Sequence, residues 1–172
     1  MLPLMGGVSI AFYPNPLDAR AIGAMVEKYR VTHLFATPTF LSTYIRRVEP
    51  PQFGSLRFVL TGAEKLRDYV SDAFEKRFGL RPIEGFGCTE LSPVAALNTD
   101  NYRGPGVFQR GTHYGTVGHP PAGVAARIVG IDSGELLPPG EDGMLLIRGP
   151  NVMLGYYEMP EKTDEAMKDG WY

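Results

Sequence analysis

Apolar residues in the first half of the chain recur at two alternating periods. Behind Asp18, a residue suited to capping, Ile22, Met25, Val26 and Tyr29 fall at i, i+3, i+4 and i+7 and predict one helix face. Val31-Thr32-His33-Leu34-Phe35-Ala36 then reads as a buried strand, with His33 as a satisfied core residue. Thr37-Pro38 is a helix start, a cap followed by proline in the first turn. Leu41, Tyr44, Ile45 and Val48 share a face of that helix, which should stop before Pro50-Pro51. The cycle repeats with a short strand at Phe58-Val59-Leu60 and a turn at Thr61-Gly62-Ala63-Glu64. A helix follows with Leu66, Val70, Ala73 and Phe74 inward, closed by Gly79. A third strand around Arg81-Pro82-Ile83 runs into Gly85-Phe86-Gly87.

Strands separated by helices of this length predict right-handed crossovers and a mostly parallel sheet with flanking helices, an α/β fold. The stretch from Thr99 to Tyr114 is polar, glycine-bearing and non-periodic, and reads as a surface loop. Beyond it the pattern is β-rich. Ala125–Val129 and Met144–Arg148 are strand candidates, the run from Pro138 to Gly143 is a turn, and a short helix should follow Pro160. Tyr156 and Tyr157 are expected to end a strand and pack. The expected organisation is an α/β subdomain over 1–98, a surface loop over 99–115 and a smaller, distorted barrel-like β-rich subdomain over 116–172.

Composition narrows the partners. With 44% hydrophobic and 21% charged residues and a net charge of -2, the chain is a globular segment whose charge gives no hold on nucleic acid. Arg46 and Arg47 belong on a solvated helix face. The single cysteine, Cys88, excludes a disulfide framework or CxxC zinc site within the chain and fits a reducing, cytoplasmic setting. No apolar run approaches the ~20 residues of a membrane-spanning helix. His33, His113 and His119 have no metal-ligand spacing, and no G-x-S-x-G elbow is present. Cys88 has no histidine beside it in sequence to act as a base.

Ligands of parallel α/β sheets sit at the carboxyl ends of the strands, and both Gly62-Ala63-Glu64 and Gly85-Phe86-Gly87-Cys88-Thr89-Glu90 fall there. Phe86 offers a flat face for a base, and Gly85 and Gly87 permit close backbone approach. Thr89 can donate to a phosphate, and Glu90 is a hard oxygen ligand for Mg²⁺. From the residues alone, a strand-end turn capped by Thr89 is an equal alternative. A dinucleotide loop is a poor fit, because the third glycine is missing and Glu90 would face a pyrophosphate.

Phe86-Gly87-Cys88-Thr89-Glu90 resembles the aromatic-G-x-T-E signature of the adenylate-forming superfamily of acyl-CoA synthetases, luciferases and peptide-synthetase adenylation domains. The resemblance extends along the chain, in order. It takes in Leu2-Pro3-Leu4-Met5-Gly6-Gly7, Tyr13-Pro14-Asn15-Pro16-Leu17, Gly62-Ala63-Glu64 and Gly115-Thr116-Val117-Gly118 with Pro121-Ala122-Gly123. It ends in Gly140-Glu141-Asp142-Gly143 through Arg148-Gly149-Pro150-Asn151 to Gly155-Tyr156-Tyr157, where Met144 departs from the usual glutamate. Gly62-Ala63-Glu64-Lys65-Leu66 and Phe78 to Gly85 are most similar to long-chain acyl-CoA or acyl-[acyl-carrier-protein] synthetases, including the synthetase half of bifunctional lysophospholipid acyltransferases such as the 2-acylglycerophosphoethanolamine type.

The resemblance implies ATP and Mg²⁺, a carboxylic acid such as a fatty acid, and a thiol acceptor on coenzyme A or an acyl-carrier-protein phosphopantetheine. It implies catalytic roles for Thr89 and Glu90, with Glu90 holding Mg²⁺. It implies nucleotide contacts from Gly62, Ala63, Glu64, Glu84, Gly85, Phe86, Gly87 and Thr89, and an acyl-pocket wall at Thr37-Pro38-Thr39 and Phe40. It also places the family's phosphate loop upstream of this segment, and the ribose-binding aspartate and lysine-bearing domain downstream. The chain is therefore expected to be a fragment, inactive alone, of a cytoplasmic or membrane-associated parent. An amino-acid adenylation domain and a non-catalytic AMP-binding module are the alternatives.

Overall fold

A computed structural model describes residues 5–172, so Leu2, Pro3 and Leu4 of the first matching segment lie outside the described residues. The chain divides into two compact units, 1–84 and 85–172. The division falls inside one strand, whereas the sequence-based boundary at 98 follows a change in composition.

In the first unit, helix α1 (Ala19–Tyr29) begins where Asp18 accepts a hydrogen bond from the Ala21 amide at 3.1 Å, and ends at Arg30 in the left-handed region. Strand β1 (His33–Ala36) leads to helix α2 (Pro38–Arg47). The Thr37 side chain accepts from the Phe40 amide, and Pro38 occupies the first turn. Two prolines cannot continue this helix, so the chain passes through extended Val48 into a 3₁₀ turn at Pro50–Phe53. Strand β2 (Phe58–Thr61), helix α3 (Asp68–Phe78), closed by Gly79, and strand β3 (Ile83–Phe86) complete the repeat.

β1 pairs parallel with β2 from His33↔Phe58 to Ala36↔Thr61, and β2 with β3 at Leu60↔Ile83 and Thr61↔Glu84. Val26, Leu41, Val48, Phe53, Val59 and Phe74 form the core, with Phe74 ring centroids 4.7 Å from Phe78 and 6.2 Å from Phe53. Arg77 reaches from α3 to the end of α2, donating to the Val48 carbonyl at 2.7 Å and 3.1 Å. All three helices pack on the face that carries Leu34, Ala36 and Val59.

The opposite face corrects the expectation of a wholly buried β1. His33 is exposed and shares a 2.8 Å hydrogen bond with the Thr32 hydroxyl, and Phe35 is 68% exposed. Apolar composition announced burial, but the two sides of a strand are covered independently.

In the second unit the end of β3 pairs antiparallel with β4 (Ala96–Leu97), at Gly85↔Leu97 and Phe86↔Ala96, so the sheet in order β1-β2-β3-β4 is mixed. The region expected to be a surface loop contains an exposed hairpin, β5 (Tyr102–Gly104) with β6 (Val107–Gln109). β7 (Ala125–Val129) and β8 (Met144–Arg148) pair antiparallel, with Ala125↔Arg148 and Val129↔Met144 at their ends. Among the described residues these remain two-stranded sheets and close no barrel, a correction to the barrel-like expectation. Helix α4 (Pro160–Ala166) follows. Leu91, Ala95 and Ile147 form this unit's small core, with Cys88, Val124, Val152 and Tyr172 around it. Tyr156 lies in irregular chain and Tyr157 in a turn beyond β8, and neither ends a strand.

Candidate functional site

β3 delivers Gly85 and Phe86 to the carboxyl edge of the sheet, and the chain then tightens into a 3₁₀ turn over Thr89–Leu91. Phe86 is 43% exposed and Thr89 is exposed, so the ring face and hydroxyl expected to meet a nucleotide are open. Gly87 has a role the sequence did not show. A Cβ there would stand 1.7 Å from the Pro93 carbonyl oxygen, so only glycine lets the returning chain close over the turn.

Glu90 is the most constrained member. Its carboxylate Oε1 accepts from the Tyr156 hydroxyl at 3.0 Å, and its carbonyl accepts from the Met153 amide at 2.7 Å. Its own backbone amide first, then the Tyr156 hydroxyl and the Cys88 thiol, hold its carboxyl below the usual glutamate range. Cys88 responds in the opposite sense. Burial first, then the neighbouring Glu90 charge, pushes its thiol up, so the protonated form persists at neutral pH and the side chain is a poor nucleophile. Tyr172 is raised as well, by burial and then by Tyr156, Cys88 and Glu90.

In the first unit the loop after β2 carries Gly62, Ala63 and Glu64. Ala63 adopts φ 67°, a left-handed conformation that a residue with a Cβ takes only where its surroundings impose it. Two side chains pin this loop. The Thr39 hydroxyl donates to Glu64 Oε2 at 2.8 Å, and Glu84 Oε1 accepts from the Leu66 amide at 3.0 Å. Glu84, expected among the nucleotide contacts, thus holds the loop that carries three of the others, Gly62, Ala63 and Glu64. Of the expected acyl-pocket wall, Pro38 is buried and Phe40 packs against the core, while Thr39 is exposed.

β2 ends at Thr61 opposite Glu84, and β3 runs on past it to Phe86. Mg²⁺ is commonly held by one or two carboxylates together with substrate phosphates. A single ionised, partly exposed glutamate beside an exposed threonine hydroxyl fits that donor chemistry. Among the described residues no cluster of three or more His, Cys, Asp or Glu gathers to hold a metal by itself. Sequence reasoning missed Tyr156 and Asn151 as partners of this turn. The signal available was the segment from Arg148 to Tyr157, with its glycines and single amide residue, which periodicity cannot connect to a turn some sixty positions earlier.

The chain matches the model of the family described as AMP-binding enzyme over residues 1–157. A long-chain-fatty-acid–CoA ligase of Escherichia coli is 31% identical over 169 residues, covering 97% of this chain and 28% of that protein. A feruloyl-CoA synthase of an Amycolatopsis species is 34% identical over 172 residues, covering 98% of this chain and 33% of that protein. The crystal structure of ATP-bound MatB from Rhodopseudomonas palustris superposes with a TM-score of 0.84 at 30% identity, over 99% of this chain and 32% of that one. The chain thus spans about a third of the length of the relatives it matches.

Proposed function

The chain belongs to the AMP-binding enzyme family, and from that premise we propose that it carries nucleotide-facing loops of an ATP-dependent acid–thiol ligase. The observation that carries this reading is the turn after β3, where exposed Phe86, exposed Thr89 and ionised Glu90 lie within five residues of each other at a strand's carboxyl end. In this reading Phe86 stacks on the adenine and the backbone of Gly85 and Gly87 permits close approach, while Gly62, Ala63 and Glu64 of the first unit carry a base-contacting role from the family resemblance alone. Thr89 donates to the α-phosphate. Glu90 would hold Mg²⁺, which supplies charge neutralisation at the phosphates.

The substrate carboxylate attacks the α-phosphorus, an oxygen–phosphorus bond forms, and the bond to pyrophosphate breaks. A thiol then attacks the acyl carbon of the adenylate and AMP leaves. There is little covalent work for side chains here, so rate enhancement comes from positioning and preorganised charge. The relatives are named as coenzyme A ligases and synthases, which favours coenzyme A over a carrier-protein thiol as acceptor. They include both a fatty-acid and a feruloyl enzyme, and the resemblance of Gly62 to Leu66 favours a fatty acid.

Acid-dependent exchange of pyrophosphate into ATP by the full-length ligase, across fatty acids, aromatic acids and amino acids, tests the reading. Exchange with fatty acids that Glu90→Gln abolishes is expected. Exchange with amino acids alone would move the protein to the peptide-synthetase branch, and undiminished exchange in Glu90→Gln would remove the metal role.

A further inference from the structure

We infer that the segment Asn151–Tyr156 is a strap that sets the Glu90 turn, with Tyr156 as the positioning residue for the Glu90 carboxylate; the inference rests on the role given to Glu90 above. Four hydrogen bonds cross from the strap to the turn and its continuation. Asn151 Nδ2 donates to the carbonyls of Leu91 at 3.0 Å and Val94 at 2.8 Å. The Met153 amide donates to the Glu90 carbonyl at 2.7 Å, and the Tyr156 hydroxyl to Glu90 Oε1 at 3.0 Å.

The first three bonds fix the backbone of the turn. The fourth fixes the side chain, because a carboxylate with one oxygen held by a phenol has lost most of its freedom to rotate. Preorganisation of this kind decides how well a single carboxylate presents to a cation, since the partners that orient a ligand tune the metal as much as the ligand does.

The strap is itself anchored. The Tyr156 amide donates to Thr163 Oγ1 at 2.9 Å, and that hydroxyl donates on to the Met159 carbonyl at 3.0 Å. A Cβ on Gly155 would come within 2.9 Å of Thr163, so glycine lets Tyr156 sit close against the start of α4. The neighbouring Tyr157 is 87% exposed and touches none of this, which makes it an internal control.

The test compares Tyr156→Phe, Thr163→Val, Tyr157→Phe and Glu90→Gln in the full-length ligase. Tyr156→Phe should raise the Mg²⁺ concentration for half-maximal pyrophosphate exchange by on the order of ten-fold, with the KM for the acid unchanged. Thr163→Val should shift it in the same direction by less, and Tyr157→Phe should shift nothing. Without Mg²⁺ or substrates, the thermal midpoints of Tyr156→Phe, Glu90→Gln and the double variant should be non-additive, because the two side chains share one bond. Additive midpoints, or an unaltered Mg²⁺ requirement in Tyr156→Phe while Glu90→Gln is inactive, would overturn the strap and leave the reading of Glu90 standing. Full turnover in Glu90→Gln would overturn both.

Discussion

Glu90 shows how residue-scale chemistry depends on neighbours far away in sequence. A group whose native pKa is depressed contributes stability above its unfolded pKa and loses that contribution as the pH falls through the native value. Glu90 is depressed, so its contribution is complete at neutral pH and disappears only below the usual glutamate range. Removing the Tyr156 hydroxyl withdraws one of the causes, which brings the native value closer to the unfolded one. Tyr156→Phe should therefore lose less stability than the wild type on acidification, with the difference between the two complete above the usual glutamate range and vanishing as the pH falls below both native values. Denaturation midpoints followed by circular dichroism at a series of pH values read it directly, and a difference between the two proteins that does not change with pH would mean that solvent already screens the bond. The residues of this turn were legible from sequence as types: an aromatic, a hydroxyl and a carboxylate between glycines. Their partners were not. Tyr156 sits 66 positions from Glu90, and nothing in its own neighbourhood distinguishes a tyrosine that donates from one that packs. His33 failed for a related reason, since an apolar setting in sequence does not say which side of a strand is covered.

Elements were far more legible, because helix periodicity and caps are local. Asp18, Thr37-Pro38 and Gly79 mark real ends of α1, α2 and α3, and the inward positions Val26, Leu41, Val48, Val70 and Phe74 are buried, whereas Tyr29, expected on the same face of α1, is 60% exposed at the helix end. β7 and β8 have the bounds that their apolar runs suggested. The elements that escaped are those without a period to read: β4 has two residues, and β5 and β6 have three each. The well-marked helices also show where the stability of the first unit resides. Phe74 on α3 is fully buried, and its ring meets those of Phe53 and Phe78, so truncation leaves a void bounded by two aromatic neighbours. Phe74→Ala should cost about 3–5 kcal/mol, by the usual penalty for emptying an aromatic core position. Chemical denaturation should show the lowered midpoint, and a loss under about 1 kcal/mol would mean that Phe53 and Phe78 collapse into the space.

At the scale of the molecule, the open side of the first unit's sheet is its least settled surface. Parallel sheets are ordinarily covered on both faces. Here α1, α2 and α3 all pack against the Leu34 and Val59 side. The other side presents His33 and Phe35, in register with half-buried Phe58 and Leu60. Phe35 contributes little to the folded unit, being 68% exposed, yet it adds an aromatic face to an uncovered apolar strip. Its two possible effects separate cleanly. As a surface residue, Phe35→Ser should alter the stability of the 172-residue chain by no more than about 0.5 kcal/mol. As part of an apolar strip, the same substitution should lower binding of a hydrophobic dye and reduce concentration-dependent self-association in sedimentation velocity. A large loss of stability with unchanged association would contradict the exposure of Phe35. Small loss with reduced association would identify the strip as the surface through which this chain meets other apolar matter, and would make Phe35→Ser the background on which to measure the Glu90 and Tyr156 variants in solution.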